Sequence, residues 1–297
     1  MERTKKLLNF ISISLLITSC QLSEKYAAEQ VTITENFSEQ KTCIIGDTGT
    51  GSSDQELVAK ALATENCHNV IHTGDIIYPK GLYNDDSPEY LQKFKTPFST
   101  ILESSRVFLT LGNHDHKRDP LVWKSVASKN KNLIFPGLFY SVVFNDACLF
   151  FIDTTLNYRK GQESWLKSQI ETLNGNCKTK IAIGHHPYKS SGHHGDAPGM
   201  INKFLKNRII GKVDYYFSGH DHQLSIERPL QNTALLISGA GAKVRPIKVQ
   251  DKAIYAISDL GYITMSFSEK GISFEVKRVD ENGIAHSSYT YSKGTKN

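Results

Sequence analysis

Eight of the eleven histidines in this 297-residue chain fall in three short clusters, each after an apolar run that predicts a buried strand. The clusters are His114 with His116, the group His185, His186, His193 and His194, and His220 with His222. Two further apolar runs end in Gly-Asp, at Asp47 and Asp75. Imidazole nitrogens and carboxylate oxygens are donors suited to metal ions. Because open α/β sheets place functional groups at the carboxyl ends of strands, the pattern indicates metal-dependent chemistry at one sheet edge.

Five predicted strand ends share one design, a glycine followed by a metal donor. They are Gly46-Asp47-Thr48-Gly49, Gly74-Asp75-Ile76-Ile77-Tyr78, Gly112-Asn113-His114-Asp115, Gly184-His185-His186-Pro187 and Gly219-His220-Asp221-His222. Glycine lets the backbone turn sharply or approach a bound ion closely. A single match would be weak, because Gly-Asp after a strand is common and Asn-His-Asp often forms a turn. Five matches in one chain favour a shared site.

The order of these motifs resembles that of the metallophosphoesterase superfamily, over roughly residues 40 to 280. With Tyr78, the form Gly-Asp-x-x-Tyr is similar to that of the purple acid phosphatases, especially the small tartrate-resistant type. The ligand positions carry no substitution, although His186 stands where the small enzymes usually have an aromatic residue. The resemblance implies a mixed α/β fold, the calcineurin-like four-layer αββα sandwich of two mixed β-sheets flanked by helices.

By this resemblance, seven residues would hold a binuclear metal centre. Fe(III) would be bound by Asp47, Asp75, Tyr78 and His222, and a divalent Fe, Zn or Mn ion by Asp75, Asn113, His185 and His220. Two carboxylates and a phenolate are hard anionic donors that suit a trivalent ion, whereas an amide and two imidazoles suit a divalent one. One alternative stays open for Tyr78, a packed aromatic side chain beside a colourless di-zinc or di-manganese site.

The implied activity is that of an acid phosphatase, which hydrolyses phosphomonoesters of small molecules or proteins by attack of a metal-bound hydroxide. His114, next to Asn113, is the expected proton donor to the leaving group. His194 follows His185 at the spacing of a second active-site histidine in the small enzymes, and His193 is its rival. A trivalent metal and cationic imidazoles predict an acidic optimum.

Two other functions remain open for the same motifs. The metal site is also suited to a phosphodiesterase or a nucleotide pyrophosphatase. A non-catalytic surface binding protein on this fold is the third possibility, and the intact ligand set argues against it. Among the neighbouring residues, we expect Asp115 and Asp221 to orient ligand imidazoles, and His116 to lie at the rim or in a hydrogen bond.

The elements that must position these residues follow from hydrophobic periodicity. Strands are predicted at 42–45, 69–73, 107–111, 180–183 and 214–217, and a hairpin at 139–144 and 149–152. Helices are predicted at 52–65, 121–127, 162–173 and 196–210, and one at 88–104 that Pro97 must interrupt. After residue 223 we expect strands at 234–238, 253–258, 261–266 and 272–276. No linker or internal repeat divides residues 41–292, which predicts one domain.

The N-terminus predicts export. Arg3, Lys5 and Lys6 precede an apolar run too short to span a bilayer as a helix, which is the design of a signal sequence. Ile17-Thr18-Ser19-Cys20 resembles a bacterial lipobox, and an ordinary cleaved signal is the alternative. We therefore predict a lipoprotein signal peptide over 1–19 and a polar tether over 20–40. A lipidated Cys20 would place the protein on a membrane, at the periplasmic face of the outer membrane or the cell surface.

Four cysteines remain besides Cys20, and none forms a CxxC pair, which argues against a structural zinc site. An even count in an oxidising compartment favours two disulfides, and four cysteines allow three connectivities. Since each cysteine lies a few residues ahead of an apolar run, we favour Cys43–Cys67 and Cys148–Cys177. The formal charge of +5 indicates no nucleic-acid partner, and we expect a monomer.

Overall fold

The computed structural model describes residues 30–155, 161–269 and 271–293. The predicted signal peptide and Cys20 lie outside these residues. Within them, the first sheet has the spatial order β1 (Gln30–Thr32), β6 (Tyr140–Val143), β7 (Ala147–Phe151), β8 (Thr179–Ile183), β9 (Tyr215–Ser218), β11 (Thr233–Ser238), β10 (Leu224–Leu230) and β12 (Ala253–Ile257). The second has the order β15 (Ala285–Lys293), β14 (Gly271–Val279), β13 (Gly261–Ser268), β2 (Thr42–Ile45), β3 (Asn69–His72), β4 (Arg106–Leu109) and β5 (Leu133–Ile134).

The helices fill the connections between strands. They are α1 (Ser53–Thr64), α2 (Pro88–Tyr90), α3 (Ser99–Ser104), α4 (Val122–Ser128), α5 (Gln162–Thr172) and α6 (Gly199–Arg208). The α2 turn continues as a π-helix over Leu91–Lys95, and α3 begins only after Pro97, so the predicted interruption of this helix is confirmed. Short 3-10 turns occur at Phe37–Glu39, Asp115–Lys117 and Gln250–Lys252.

Strand β7 shows how the layers are arranged. Its Leu149 and Phe151 side chains belong to a core shared with the other sheet, whereas Phe150, between them, packs in a second core. That second core contains Leu166 of α5 and Leu205 of α6, so these helices cover the outer face of the first sheet. Helix α1 contacts β13 and β14 of the second sheet. Two mixed sheets between helices confirm the predicted four-layer sandwich.

The N-terminal boundary differs from the predicted one. The sequence predicts a polar tether over 20–40, but residues 30–40 pack on the domain: β1 pairs in parallel with β6, and Phe37 is fully buried. The Phe37 ring lies 4.9 Å from the ring of Phe144, and the backbone N–H of Phe37 donates to Asp146 at 2.7 Å. One buried aromatic side chain outweighs the polar composition of this stretch, because burying it contributes about 1.5–3 kcal/mol.

Both predicted disulfides are confirmed. Cys43 of β2 is paired with Cys67, just before β3, and Cys148 of β7 is paired with Cys177, just before β8. Each bridge joins neighbouring parallel strands of one sheet, with Cα–Cα distances of 5.9 and 5.6 Å. Among the described residues, we find no helix of the length and apolarity that crossing a membrane requires.

The topology brings the five glycine motifs to one place. β2, β3 and β4 are parallel neighbours in the second sheet, and β8 and β9 are parallel neighbours in the first. Each motif begins within three residues of the end of one of these strands, so the carboxyl ends of strands from both sheets position the motifs. Helices cover the outer faces, which leaves this shared edge for polar side chains.

Candidate metal centre

The seven predicted ligands come together in two groups of donors. In the first group, the Tyr78 hydroxyl lies 2.9 Å from Asp47 Oδ1 and 3.2 Å from His222 Nε2. In the second, Asn113 Oδ1 lies 3.1 Å from His185 Nε2 and 3.0 Å from His220 Nδ1.

Asp75 lies between the two groups. Its Oδ2 is 3.5 Å from His185 Nε2 of the second group, and its carboxylate also interacts with the Tyr78 hydroxyl of the first. One donor atom each from Asp47, Asp75 and His185 lies within 4.8 Å of the others, and all three side chains are buried. A carboxylate in this position is placed to contact ions bound in either group.

The chemistry of the donor set fits metal ions. Burial, followed by the charge of neighbouring Asp75, raises the pKa of Asp47 well above its usual range. Burial also lowers the pKa of His220 to about 4 and that of His222 to about 3, which keeps both imidazoles neutral. Closely spaced buried carboxylates beside neutral imidazoles form a donor set that a bound cation would stabilise.

The backbone at three of these donors is strained. Asp47, Asp75 and His220 have φ values of 57°, 52° and 67°, in the left-handed region that L-residues seldom occupy. Such a conformation costs on the order of 1–3 kcal/mol for a residue other than glycine and persists only where the surrounding structure imposes it. Three strained donors at the ends of three different strands indicate that the fold is built around this site.

Two of the motif glycines make room for carboxylates of other motifs. A Cβ on Gly112 would collide with the side chain and the backbone nitrogen of Asp75, and one on Gly219 would collide with Asp47 Oδ2. Neither glycine has a positive φ, so these two positions require space rather than conformational freedom. The glycine at the end of one strand thus positions the donor at the end of another.

Within the described residues, Asp115 and Asp221 accept hydrogen bonds from backbone N–H groups, and Asp221 also from a serine hydroxyl, rather than from ligand imidazoles, so the predicted role of both is wrong. Asp115 is 1% exposed and accepts hydrogen bonds from the backbone N–H groups of Ile76, Ile77 and Gly112 at 2.9 to 3.1 Å. It therefore fastens the Asp75 loop to the Asn113 loop. Asp221 accepts from the backbone N–H of His194 at 2.6 Å and from the hydroxyl of Ser190.

His114 and His194 both line a cavity of about 370 Å³ next to the donors. His114 Nε2 is 4.0 Å from Asp75 Oδ2, and His114 Nδ1 is 2.8 Å from the Pro79 carbonyl oxygen. A carbonyl only accepts, whereas the Lys117 ammonium, 3.1 Å from the same Nδ1, only donates, so the two contacts do not define one tautomer. The His194 ring lies 4.6 Å from that of His220, while His193 is absent from the described lining. Of the two rivals, His194 is the one at the cavity.

The two remaining cluster histidines have local partners. His116 Nε2 lies 3.2 Å from Asp153 Oδ1, and both side chains are almost fully buried. The expectation of a hydrogen-bond partner therefore describes His116 better than a position at the rim. His186 Nδ1 lies 2.9 Å from the Thr154 hydroxyl, and burial lowers the pKa of its imidazole well below the usual range.

Two cations in the cavity wall, Lys243 and Arg245, are not among the predicted site residues. Both lie in the segment after β11, which begins Gly239-Ala240-Gly241. This glycine-containing stretch at the end of a strand repeats the pattern of the other five motifs. It lacks Asp, Asn or His, so a search for metal donors passes over it. A search for any polar side chain after Gly at a strand end would have included both residues.

The fold and the donor set together define a metallophosphoesterase. Residues 41–224 match the family model for calcineurin-like phosphoesterases, and the chain belongs to this family. It is 28% identical to purple acid phosphatase 17 of Arabidopsis thaliana, over 76% of this chain and 77% of that protein. It is 22% identical to tartrate-resistant acid phosphatase type 5 of Sus scrofa, over 66% of this chain and 65% of that one.

Among solved structures, the chain is similar to GAP50, described as the anchor in the inner membrane complex of Plasmodium. The TM-score is 0.75 at 20% identity, over 86% of this chain and 89% of that chain, and the likeness concerns the fold alone. The family and its acid phosphatase relatives confirm the resemblance drawn from the motifs. Together with the buried Asp47, Asp75 and His185 donors, they support a metal-dependent phosphoesterase with a binuclear metal centre.

Proposed function

We propose that this protein is an acid phosphatase that hydrolyses phosphomonoesters at a binuclear centre of Fe(III) and a divalent ion. The observation that carries the proposal is the position of Tyr78, whose hydroxyl lies 2.9 Å from Asp47 and 3.2 Å from His222. That position adds a phenol to a carboxylate and an imidazole in the first donor group. A phenolate is a hard anionic donor that favours iron(III).

Each donor group would hold one ion, and Asp75 would contact both. The first ion, Fe(III), would be held by Asp47, Asp75, Tyr78 and His222, and the divalent ion by Asp75, Asn113, His185 and His220. When bound, the ions supply positive charge to the phosphoryl oxygens and a water of lowered pKa. Burial, and then the charges of Asp47 and Asp75, raise the pKa of the Tyr78 phenol far above its usual range. Its ionisation therefore requires a cation beside it.

Two histidines would contact the phosphoester directly, one as a proton donor and one as a binding residue. His114 Nδ1 contacts the Pro79 carbonyl and the Lys117 ammonium, whereas Nε2 lies on the side of Asp75. As an imidazolium, His114 would give its Nε2 proton to the leaving oxygen. His194 is exposed in the cavity, and its backbone is fixed by Asp221 at 2.6 Å. Its imidazole is placed beside that of His220, where it would bind an oxygen of the transferred phosphoryl group.

We also propose an exported, monomeric lipoprotein that reaches a membrane through lipidated Cys20. The two disulfides support export, because disulfides persist mainly in oxidising compartments. Labelling cells with a radioactive fatty acid tests the anchor, with Cys20→Ser as the variant that should lose the label. Size-exclusion chromatography with light scattering tests the monomer.

The activity is tested by release of nitrophenol from p-nitrophenyl phosphate and from its bis ester between about pH 4 and 7, the range in which histidine side chains titrate. The proposal expects release from the monoester. Cleavage of the bis ester alone would favour the phosphodiesterase, and a fully metallated protein inert toward both would favour the binding protein.

The iron assignment is tested by metal analysis and the visible spectrum. A phenolate bound to iron(III) absorbs visible light, so the protein should be pink to purple, and Tyr78→Phe should bleach it while sparing much of the activity. Tyr83→Phe is a matched control, because the Tyr83 side chain is 71% exposed and lies outside the donor groups. A colourless, fully metallated wild type would exclude the Fe(III)–phenolate centre.

A further inference from the structure

Lys243 and Arg245 line the same cavity as the metal donors, although neither can bind a metal ion in its charged form. The backbone at Arg245 is fixed beside the site. Its N–H donates to the carbonyl of His222 at 2.8 Å, and its carbonyl accepts from the Ser258 hydroxyl at 2.8 Å. The Arg245 side chain therefore extends from a backbone that is held by hydrogen bonds next to the metal donor His222.

Neither of these two side chains forms an ion pair with a carboxylate of the described residues. Among the described residues, the ion pairs within 4.0 Å involve other lysines and arginines. Arg245 Nε is buried and has no hydrogen-bond partner in the described part of the chain. A buried guanidinium N–H without a partner is destabilising, and hydrogen bonding to an anionic ligand would remove that cost.

The charged side chains that line the cavity also favour an anionic ligand. Asp75 is the one carboxylate in the described lining, and the proposed function uses it as a metal donor. The metal donors and His194 already account for one transferred phosphoryl group. Lys243 and Arg245 are then left for a second anion.

We propose that Lys243 and Arg245 form a subsite for a second phosphate group of the substrate. A guanidinium matches phosphate with two parallel N–H···O bonds, and a lysine adds a flexible point charge. The subsite binds the phosphate that is not transferred and takes no part in bond breaking. The inference rests on the proposed phosphatase function and narrows it to substrates that carry two phosphates.

The test compares kcat/KM for glucose 1,6-bisphosphate and pyrophosphate with kcat/KM for glucose 6-phosphate. The second phosphate is distant from the first in glucose 1,6-bisphosphate and directly attached to it in pyrophosphate, so the two substrates show which spacing the subsite accepts. Arg245→Met should lower the ratio of diphosphorylated to monophosphorylated substrate by about 10- to 100-fold, the effect of one charge-assisted hydrogen-bond pair. Arg245→Lys should retain part of it. Lys206→Met removes an equal charge from the exposed face of α6 and should leave the ratio unchanged.

Binding supplies a second readout that needs no turnover. By calorimetry, methylenediphosphonate should bind the wild type more tightly than methylphosphonate, and Arg245→Met should remove most of that difference. An equal loss for mono- and diphosphorylated ligands would overturn the subsite, because Arg245 would then bind the transferred phosphate. An unchanged ratio in both Arg245→Met and Lys243→Met would also overturn it. If no substrate is hydrolysed, the phosphatase proposal fails. The difference in affinity between the two phosphonates still tests the subsite, because it needs no turnover. Should Arg245→Met not fold, the exposed Lys243 carries the test.

Discussion

Replacing Gly112 with alanine tests how the candidate centre is built. A Cβ at this position would lie 2.7 Å from Asp75 Cγ and still closer to an oxygen and the backbone nitrogen of that residue. Non-bonded carbon atoms are at their optimum at about 3.5–4.0 Å, so the overlap is about 1 Å. Since the backbone nitrogen is involved, rotation of the Asp75 side chain cannot relieve it. One of the two loops must move.

The expected effects follow from that displacement. Overpacking of this kind costs about 1–3 kcal/mol, and in a domain of this size each kcal/mol lowers Tm by about 2–4 °C. Gly112→Ala should therefore lower Tm by about 2–12 °C. Because Asp75 is the donor between the two groups, a shift of about 1 Å should also lower kcat/KM on the order of 100-fold and weaken metal retention.

Calorimetry, metal analysis and phosphate release from p-nitrophenyl phosphate measure these effects in the metal-loaded protein. Gly175→Ala is the matched control, because a Cβ there would meet no heavy atom within 4 Å. It should leave Tm unchanged or raise it slightly, through the lower entropy of the unfolded chain. If Gly112→Ala keeps the wild-type Tm, metal content and kcat/KM, then Asp75 does not pack against Gly112, and the reasoning fails.

Three further predictions concern the donors and their neighbours. His114→Asn should lower kcat for alkyl phosphates by about 10²–10⁴-fold and for p-nitrophenyl phosphate by less, since nitrophenolate leaves without a proton; equal losses would contradict the proton-donor role. Chelation should lower Tm reversibly, because buried Asp47 and Asp75 lose their counter-charge; an unchanged Tm with metal demonstrably removed would refute this. In the metal-free protein, burial lowers the pKa of His72 from 6.5 to about 3, and its Nδ1 accepts from the Gly74 N–H. Because only the unfolded chain binds a proton at His72 between about pH 6.5 and 3, the free energy of unfolding falls as the pH falls through this range. His72→Gln should reduce the slope of that fall by up to about 1.4 kcal/mol per pH unit. Identical pH dependence of the unfolding free energy in the variant and the wild type would exclude this contribution.

Most of the fold was predictable because its signals are local. The strands before the five motifs are short apolar runs, and their observed bounds lie within a residue or two of the predicted ones, as at Thr42–Ile45 and Asn69–His72. Pro97 interrupts its helix as the fixed geometry of proline requires. Strand β1 carries no such signal, because it is three residues long and only partly buried. Its position depends on pairing with β6, far along the chain.

The sequence by itself determined which donor types stand at the strand ends, because Asp, Asn, His and Tyr are recognisable as residues. It did not determine what each neighbouring side chain touches. Asp115 and Asp221 turned out to hold backbone N–H groups, and Gly112, after β4, to make room for the carboxylate of Asp75, after the neighbouring strand β3. Those outcomes depend on side-chain direction and on contacts between distant segments, neither of which periodicity encodes.

Lys243 and Arg245 show most clearly the difference between what the sequence and what the tertiary structure determine. As residues they are two of 35 basic side chains, and nothing local separates them from the others. Only the folded chain brings the segment after β11 against His222 and places both cations over the cavity that the donors share. The composition of the metal centre is therefore a property of the sequence. The position of Asp75 between the two donor groups, the choice of His194 over His193 and the cationic wall are properties of the tertiary structure, because they are fixed by how two sheets meet.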